Sequence, residues 1–362
     1  MSDSVPEQMP HEPVLCRYHA TDRDEVFDFI REVFPAEVAV RLTKQWRWRY
    51  ELNPFTPSDG PPVVFIRNGR EIIGLVAGFR LRMWMGGIEC VGEGRGTWVV
   101  HPKYRGQNLW RPLIAHASSA PIQIGWSRLP PRVQRGINWL SNPVRPLIRV
   151  LDAGALLAHF IFRRRFASIP IRTRTTATIP SPLRGASRPL ESAVIRLEAF
   201  DDRADVLWER ARRSNSAMVI RDYRYLNWRF CERPDATYIL YGIERASELE
   251  GFLVARATTY RGLRWGYLVD FLAPENSTNV LSTLIGQAIG ELHQLGVVAV
   301  SCYTTDKAAR AALFRNSFFP APQPKPIRFV HFLQGSRTDL EEFATLKTWY
   351  LTMGDGDLEM AH

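Results

Sequence analysis

The 362-residue sequence is poor in cysteine, has no long apolar run, and carries almost no acid through its middle. Its four cysteines, Cys16, Cys90, Cys231 and Cys302, lie far apart without paired spacing. That excludes a zinc ribbon or disulfide scaffold, so no metal is expected, and it points to a reducing compartment. No stretch reaches the roughly 18 apolar residues of a membrane-spanning helix. The opening MSDSVPEQMPHEP is polar and proline-bearing, unlike a signal peptide. The expected location is cytoplasmic.

What is present in excess is arginine. Between Pro121 and Leu190 there are twelve arginines, no lysine and one acid, Asp152. That segment carries about +11 of a net charge of +10, which leaves the remainder near −1. Basicity confined to one segment, without interleaved aromatics or a recognition helix, does not fit sequence-specific nucleic-acid reading, so nucleic acid is not the expected partner. Within it, Leu147–Phe162 is strongly apolar and ends in Arg163–Arg165. An amphipathic helix packed on the first domain is expected there, with peripheral contact to an anionic membrane as the alternative.

The chain repeats itself at an offset of 180 residues. VLCRYHATDRDEV from Val14 aligns with VIRLEAFDDRADV from Val194, and WRYELNP from Trp48 with WRFCERP from Trp228. Each copy continues as a strand hairpin, turning at Asn68-Gly69 in the first and near Ala246–Glu250 in the second. Each then runs through a further strand to a proline and into a helix. The expected fold is α/β (α+β), as two homologous domains, each with a mixed, mainly antiparallel sheet flanked by helices. The expected spans are a flexible N-terminus over 1–11, domains over 12–155 and 190–345, a basic Pro/Arg-rich linker over 156–189, and a tail over 346–362.

The stretch VVHPKYRGQNLWRPLI, residues 99–114, carries the chemistry. A strand ends at Pro102, and Arg105-Gly106-Gln107-Asn108 then offers successive backbone amides at a helix start, where an anion is favoured. Arg105 adds charge suited to a diphosphate. VVHPKYRGQ resembles the cofactor run of the GNAT (N-acetyltransferase) superfamily. In that family, strand 4, an R/Q-x-x-G-x-G/A turn and the next helix bind acetyl-CoA. The resemblance assigns Val99, Val100, Arg105, Gly106, Gln107, Asn108, Leu109 and Trp110 to acetyl-CoA or another acyl-CoA. Asn108 replaces a glycine and tolerates a left-handed backbone; Trp110 replaces a small residue. The second copy has Glu275-Asn-Ser-Thr-Asn-Val280 at this place, without the arginine or glycines, and is expected to keep the fold but not the cofactor grip. The whole chain is similar to bacterial tandem-GNAT proteins, some of which accompany cell-surface polysaccharide pathways, and to the FemABX-like aminoacyl transferases.

The resemblance implies transfer of an acyl group from the CoA thioester to an acceptor amine, with a base on or near strand 4. Glu93 is the first candidate and Glu89 the second, each against the reading of a solvated turn glutamate. The family's thiolate-protonating tyrosine has no counterpart in WSRLPPRVQRGINW, residues 126–139. His101, before a proline, is expected in a loop position. Trp48, Arg49, Trp228 and Arg229 are candidates for an acceptor groove or for core packing. Asp355 and Asp357 are expected in a solvated tail, with a cationic acceptor as the alternative. The expected acceptor is a small molecule or glycan precursor, such as an amino sugar or surface-polysaccharide unit. Two other readings stay open: a catalytically silent GNAT-fold module at a membrane or assembly site, and an aminoacyl transferase.

Overall fold

The structure, a computed structural model, describes residues 11–117, 120–127, 140–165, 193–214, 216–321, 327–333 and 341–356. Strand β1 (Val14–Arg17) leads into helices α1 (Arg23–Val33) and α2 (Ala36–Trp46). In α1, Asp24 and Glu25 sit at the positive end and Arg31 at the negative end of the helix dipole. Its Val26, Phe29 and Ile30, spaced three and four apart, are buried on one stripe. A π turn over Arg47–Glu51 then closes the helical stretch.

An antiparallel meander follows: β2 (Val63–Asn68), β3 (Glu71–Met85) and β4 (Ile88–Val100). The hairpin turns at Gly69, whose φ of 62° is the left-handed conformation an Asn-Gly turn requires. Beyond β4 come α3 (Trp110–Ala117), β5 (Ile122–Ser127), β6 (Leu140–Val144), β7 (Leu147–Val150) and α4 (Ala153–Arg165).

The second half repeats the order. Strand β8 (Ala193–Leu197) is followed by α5 (Arg203–Ala211), a short β9 (Ala217–Val219), α6 (Tyr223–Leu226) and a second π turn over Asn227–Cys231. The meander is β10 (Ile239–Arg245), β11 (Glu248–Tyr260) and β12 (Leu263–Leu272). Ala246 and Ser247, both at positive φ, make its first turn. The chain then forms α7 (Thr278–Gln294), β13 (Ala299–Cys302), α8 (Lys307–Arg315), β14 (Phe319–Pro320) and β15 (Ile327–Leu333). The two π turns lie 180 residues apart, at the Trp-Arg-aromatic repeat.

The first sheet runs β1-β2-β3-β4-β5-β15-β6, with β9 on the far end of β3, and the second runs β8-β10-β11-β12-β13-β7-β14. In each, the sixth strand comes from the other half of the chain. Strand β7 pairs antiparallel with β13, and β15 pairs antiparallel with both β5 and β6. The exchange is reciprocal, so each sheet is completed by the other half.

This corrects the expectation of one amphipathic helix over Leu147–Phe162. The segment is strand β7 followed by α4. Pro146 precedes the strand, and Asp152 caps the helix by accepting from the Ala155 amide at 2.8 Å. Strand β7 joins the second sheet, not the first. The expected linker begins inside α4, and most of it lies outside the described residues. Among the described residues no helix is long and apolar enough to cross a membrane.

The halves meet on Trp48 and Trp228, 5% and 1% exposed. Their rings stack with centroids 5.0 Å apart and planes 20° from parallel. Trp48 Nε1 donates to the Trp228 carbonyl at 2.7 Å, and Trp228 Nε1 to the Trp48 carbonyl at 3.0 Å. The reciprocal bonds make a local pseudo-two-fold, so the repeated tryptophans face each other across the junction. Arg49 and Arg233 lie over the Trp48 ring. The tryptophan core extends without a break into the second sheet.

Candidate active site

Strand β4 carries a bulge. Its register against β3 steps from Gly78↔Arg95 to Val76↔Trp98, so Gly96 and Thr97 together face Ala77. The Tyr50 hydroxyl fills the bulge and accepts from the Thr97 amide at 3.3 Å. On its other side β4 runs parallel to β5 for only three residue pairs, Gly92↔Ile122 to Gly94↔Ile124. After Gly94 the strands part, since β5 continues along β15 while β4 leads toward the loop. A parallel pair that splits at a bulge leaves a wedge between two strands, with backbone groups of β4 turned out of the ladder. Val99 and Val100 lie on β4 beyond the split.

The loop at the end of β4 is built to keep its backbone exposed. His101 is buried and caps a 3-10 turn over Pro102–Tyr104, its Nδ1 accepting from the Lys103 amide at 3.2 Å. Its Nε2 lies 3.1 Å from Glu32. Tyr104, Leu109 and Leu113 are buried in a small core on this face of the sheet. Between those anchors Arg105, Gly106 and Asn108 are exposed. Gly106 has φ 89°, and nothing lies within 4 Å of where a Cβ would stand. Asn108 has φ 56°, so it makes the left-handed turn in place of a glycine. Trp110 is half-buried and opens α3, with the Arg111 guanidinium 5.4 Å over its ring. Leu109, not Trp110, is the buried anchor. Lys103, Arg105 and Arg111 border the loop, and residues 101–117 contain no acid. Exposed amides, an open glycine and the cations Lys103, Arg105 and Arg111 suit a diphosphate, while the acids nearby, Glu32 and Glu71, are engaged by His101 and Tyr104.

Glu93 sits on β4 at the start of the wedge and is fully buried. A Cβ at Gly78 would collide with its carboxylate, so glycine there makes the room. Arg80 Nη1 lies 3.6 Å and Arg95 Nη1 3.5 Å from its oxygens, compensating a charge that would be costly to bury alone. Burial pulls the Arg95 guanidinium down, and Glu93 acts against that shift. Gln123 stands beside Glu93 in register on β5 and is 6% exposed. Among the described residues no partner reaches Gln123 Oε1 or Thr97 Oγ1. Sequence reasoning passed over Arg80, Arg95 and Gln123; for Gln123 the signal was a polar residue between two buried isoleucines, Ile122 and Ile124.

Glu89 stands apart, exposed near the start of β4, where it accepts from Arg82 Nη2 at 2.9 Å. The Arg82 hydrogen bonds hold its carboxyl below the ordinary value. Trp48, Arg49, Trp228 and Arg229 are all buried at the junction of the halves, not along an open groove. Arg229 donates through Nε to the Gly354 carbonyl at 3.2 Å. Residues 128–139, where a thiolate-protonating tyrosine was sought, lie outside the described residues.

The second copy repeats the wedge and fills it. Strand β12 has its own bulge, where the register passes from Val254↔Asp270 to Ala255↔Leu268. It runs parallel to β13 from Trp265↔Ala299 to Leu268↔Cys302. Asn276, at φ 63°, turns the loop after β12 as Asn108 turns the first. Between the parting strands lies the C-terminal segment. Tyr350 donates to the Phe271 carbonyl on one side. On the other, the Thr305 amide donates to the Leu351 carbonyl at 3.2 Å, and Thr304 bridges Thr352. The expected solvated tail is corrected here: Asp355 is 4% exposed and accepts from Arg221 Nη2 at 2.9 Å. Arg221 Nε is also 3.1 Å from Asp270, to which Thr352 Oγ1 donates at 2.9 Å. Burial and the facing Asp355 push the Asp270 carboxyl up, against the pull of Arg221. Asp357 lies outside the described residues.

This geometry matches known proteins in fold. The model of the acetyltransferase (GNAT) domain family matches residues 16–120. Among solved structures, Saccharomyces cerevisiae N-myristoyltransferase with bound myristoyl-CoA is 15% identical, with a TM-score of 0.55, over 91% of this chain and 85% of that one. A GCN5-related N-acetyltransferase from Kribbella flavida is 16% identical, with a TM-score of 0.55, over 89% and 71%. A probable N-acyltransferase from Enterococcus faecalis V583 is 12% identical, with a TM-score of 0.53, over 91% and 75%. No curated protein matches the chain. At these identities the structures speak for the fold, and the family match speaks for residues 16–120. The chain has the GNAT fold, and its residues 16–120 match the GNAT acetyltransferase domain family.

Proposed function

We propose that the protein is an acyl-CoA-dependent N-acyltransferase, working in the cytoplasm on the amine of a small acceptor such as an amino sugar or glycan precursor. The observation that carries this reading is the wedge between β4 and β5, opening beside the cation-bordered loop of a GNAT domain. Acetyl-CoA, or another acyl-CoA, would supply the thioester whose acyl group is transferred. The amides of Gly106 to Trp110 and the Arg105 side chain would hold its diphosphate, with Val99 and Val100 of β4 beside it. Glu93 takes the proton the attacking amine gives up, directly or through water. Arg80 and Arg95 keep its carboxylate in place, and Gln123 orients the acceptor beside it. The second copy, its wedge filled by residues 349–355, supports the first.

Calorimetric titration with acetyl-CoA tests the cofactor. Arg105→Ala is expected to bind about tenfold more weakly, one charge-assisted contact being lost. Failure of the folded wild type to bind acetyl-CoA or a longer acyl-CoA overturns the reading. Glu93→Gln is expected to lower kcat about a hundredfold with KM little changed. Release of free thiol against a panel of amines measures it, and an unchanged kcat removes Glu93 from the role.

A further inference from the structure

In the second copy residues 349–355 fill the wedge between the parting strands. Outside it a cleft of 1120 Å³ remains, of the size of a small-molecule site. It is floored by Trp349 and Tyr350 and walled by the loop after β12, the first turns of α7 and α8, and the β6–β7 connection. Six charged residues line it: Arg145, Lys307, Arg310 and Lys347 against Glu275 and Asp306. Asp306 is engaged as the cap of α8, accepting from the Ala309 amide at 2.7 Å. Lys307 and Arg310, three residues apart, lie on one face of α8. Arg145 and Lys347 come from two other parts of the chain. The first copy's Arg105-Gly106 motif is absent, yet four cations from three segments line the cleft beside the corresponding loop.

We propose that this cleft binds a small molecule carrying a diphosphate, held by Lys307 and Arg310, with Arg145 and Lys347 at its rim. The excess of two positive charges among the lining residues matches such a group, and the concave wall favours a small molecule over an extended surface. The filled wedge blocks the route a pantetheine arm would take, so the site binds without presenting a thioester for transfer. The site stands independently of the acyltransfer assigned to the first copy.

The test is titration of the full-length Arg105→Ala protein with inorganic pyrophosphate in metal-free buffer, a background in which the first loop is weakened. The expected result is one site, weakened by added salt. It is weakened about tenfold or more by Lys307→Ala/Arg310→Ala, the loss of two charge-assisted contacts. Arg145→Gln/Lys347→Gln, on other segments, is expected to weaken it too, which guards against misfolding of one variant; circular dichroism checks both. Absence of pyrophosphate binding, or equal affinity with and without the four cations, overturns the proposal. Binding of phosphatidylglycerol vesicles through these residues, without pyrophosphate binding, assigns the cleft to a lipid surface and overturns it as well. Acetyl-CoA affinity reads the first loop separately, so the two readings fail by different measurements.

Discussion

Arg221→Ala is expected to destabilise the protein by about 3–5 kcal/mol, read from urea unfolding at neutral pH. Arg221 is fully buried and reaches both Asp270 and Asp355, while its Nη1 donates to the Val219 carbonyl at 3.0 Å. Removing the guanidinium leaves two carboxylates facing each other without compensation. Each would then have a folded-state pKa above its unfolded value, so protonation favours the fold. The deficit is therefore full at neutral pH and shrinks as pH falls toward the unfolded carboxylate value of about 3.9. The combined Arg221→Met/Asp270→Asn/Asp355→Asn variant removes all three charges and is expected to lose far less. A single-variant deficit below about 1 kcal/mol would show that the network contributes little.

Trp228→Ala is expected to be of similar size, about 3–5 kcal/mol, for a different reason. The loss is a large buried ring, its stack on Trp48, and one of the two reciprocal indole bonds. The Trp48 carbonyl is left without its indole donor inside the core. Because that core continues into the second sheet, the loss should lower one cooperative transition rather than detach one half. Two separated transitions in the variant, followed by tryptophan fluorescence and far-UV circular dichroism together, would contradict this. Trp228→Phe keeps the stack and loses only the donor, and is expected to fall well short of the alanine effect.

The duplication was legible because the residues that repeat are the ones with a geometric task. Trp48 and Trp228 are held by the same π turn and meet across one local axis, so spacing survived where most side chains diverged. The exposed turn after β4 was legible for a similar reason, and Asn108 takes the positive φ that its amide side chain tolerates. Strand exchange was not legible. LIRV at 147–150 reads locally as the start of the apolar run that follows it, and nothing in its period names β13 as its partner. Asp355 was misplaced because its burial depends on Arg221, 134 residues away. Gln123 went unremarked because a polar residue in a short strand carries meaning only once Glu93 stands beside it.

The reciprocal exchange of β7 and β15 has a consequence during synthesis. Strand β5 leaves the ribosome long before the strand that covers its edge. At about 5–20 residues per second, a gap of roughly 200 residues leaves that edge exposed for about 10–40 s. An unpaired edge invites pairing with other nascent chains. The first half must therefore persist as an incomplete sheet until residues 327–333 arrive, and residues 349–355, which follow them, lock the second half through Asp355. Completion of the two halves is thus one event, timed by residues 327–355.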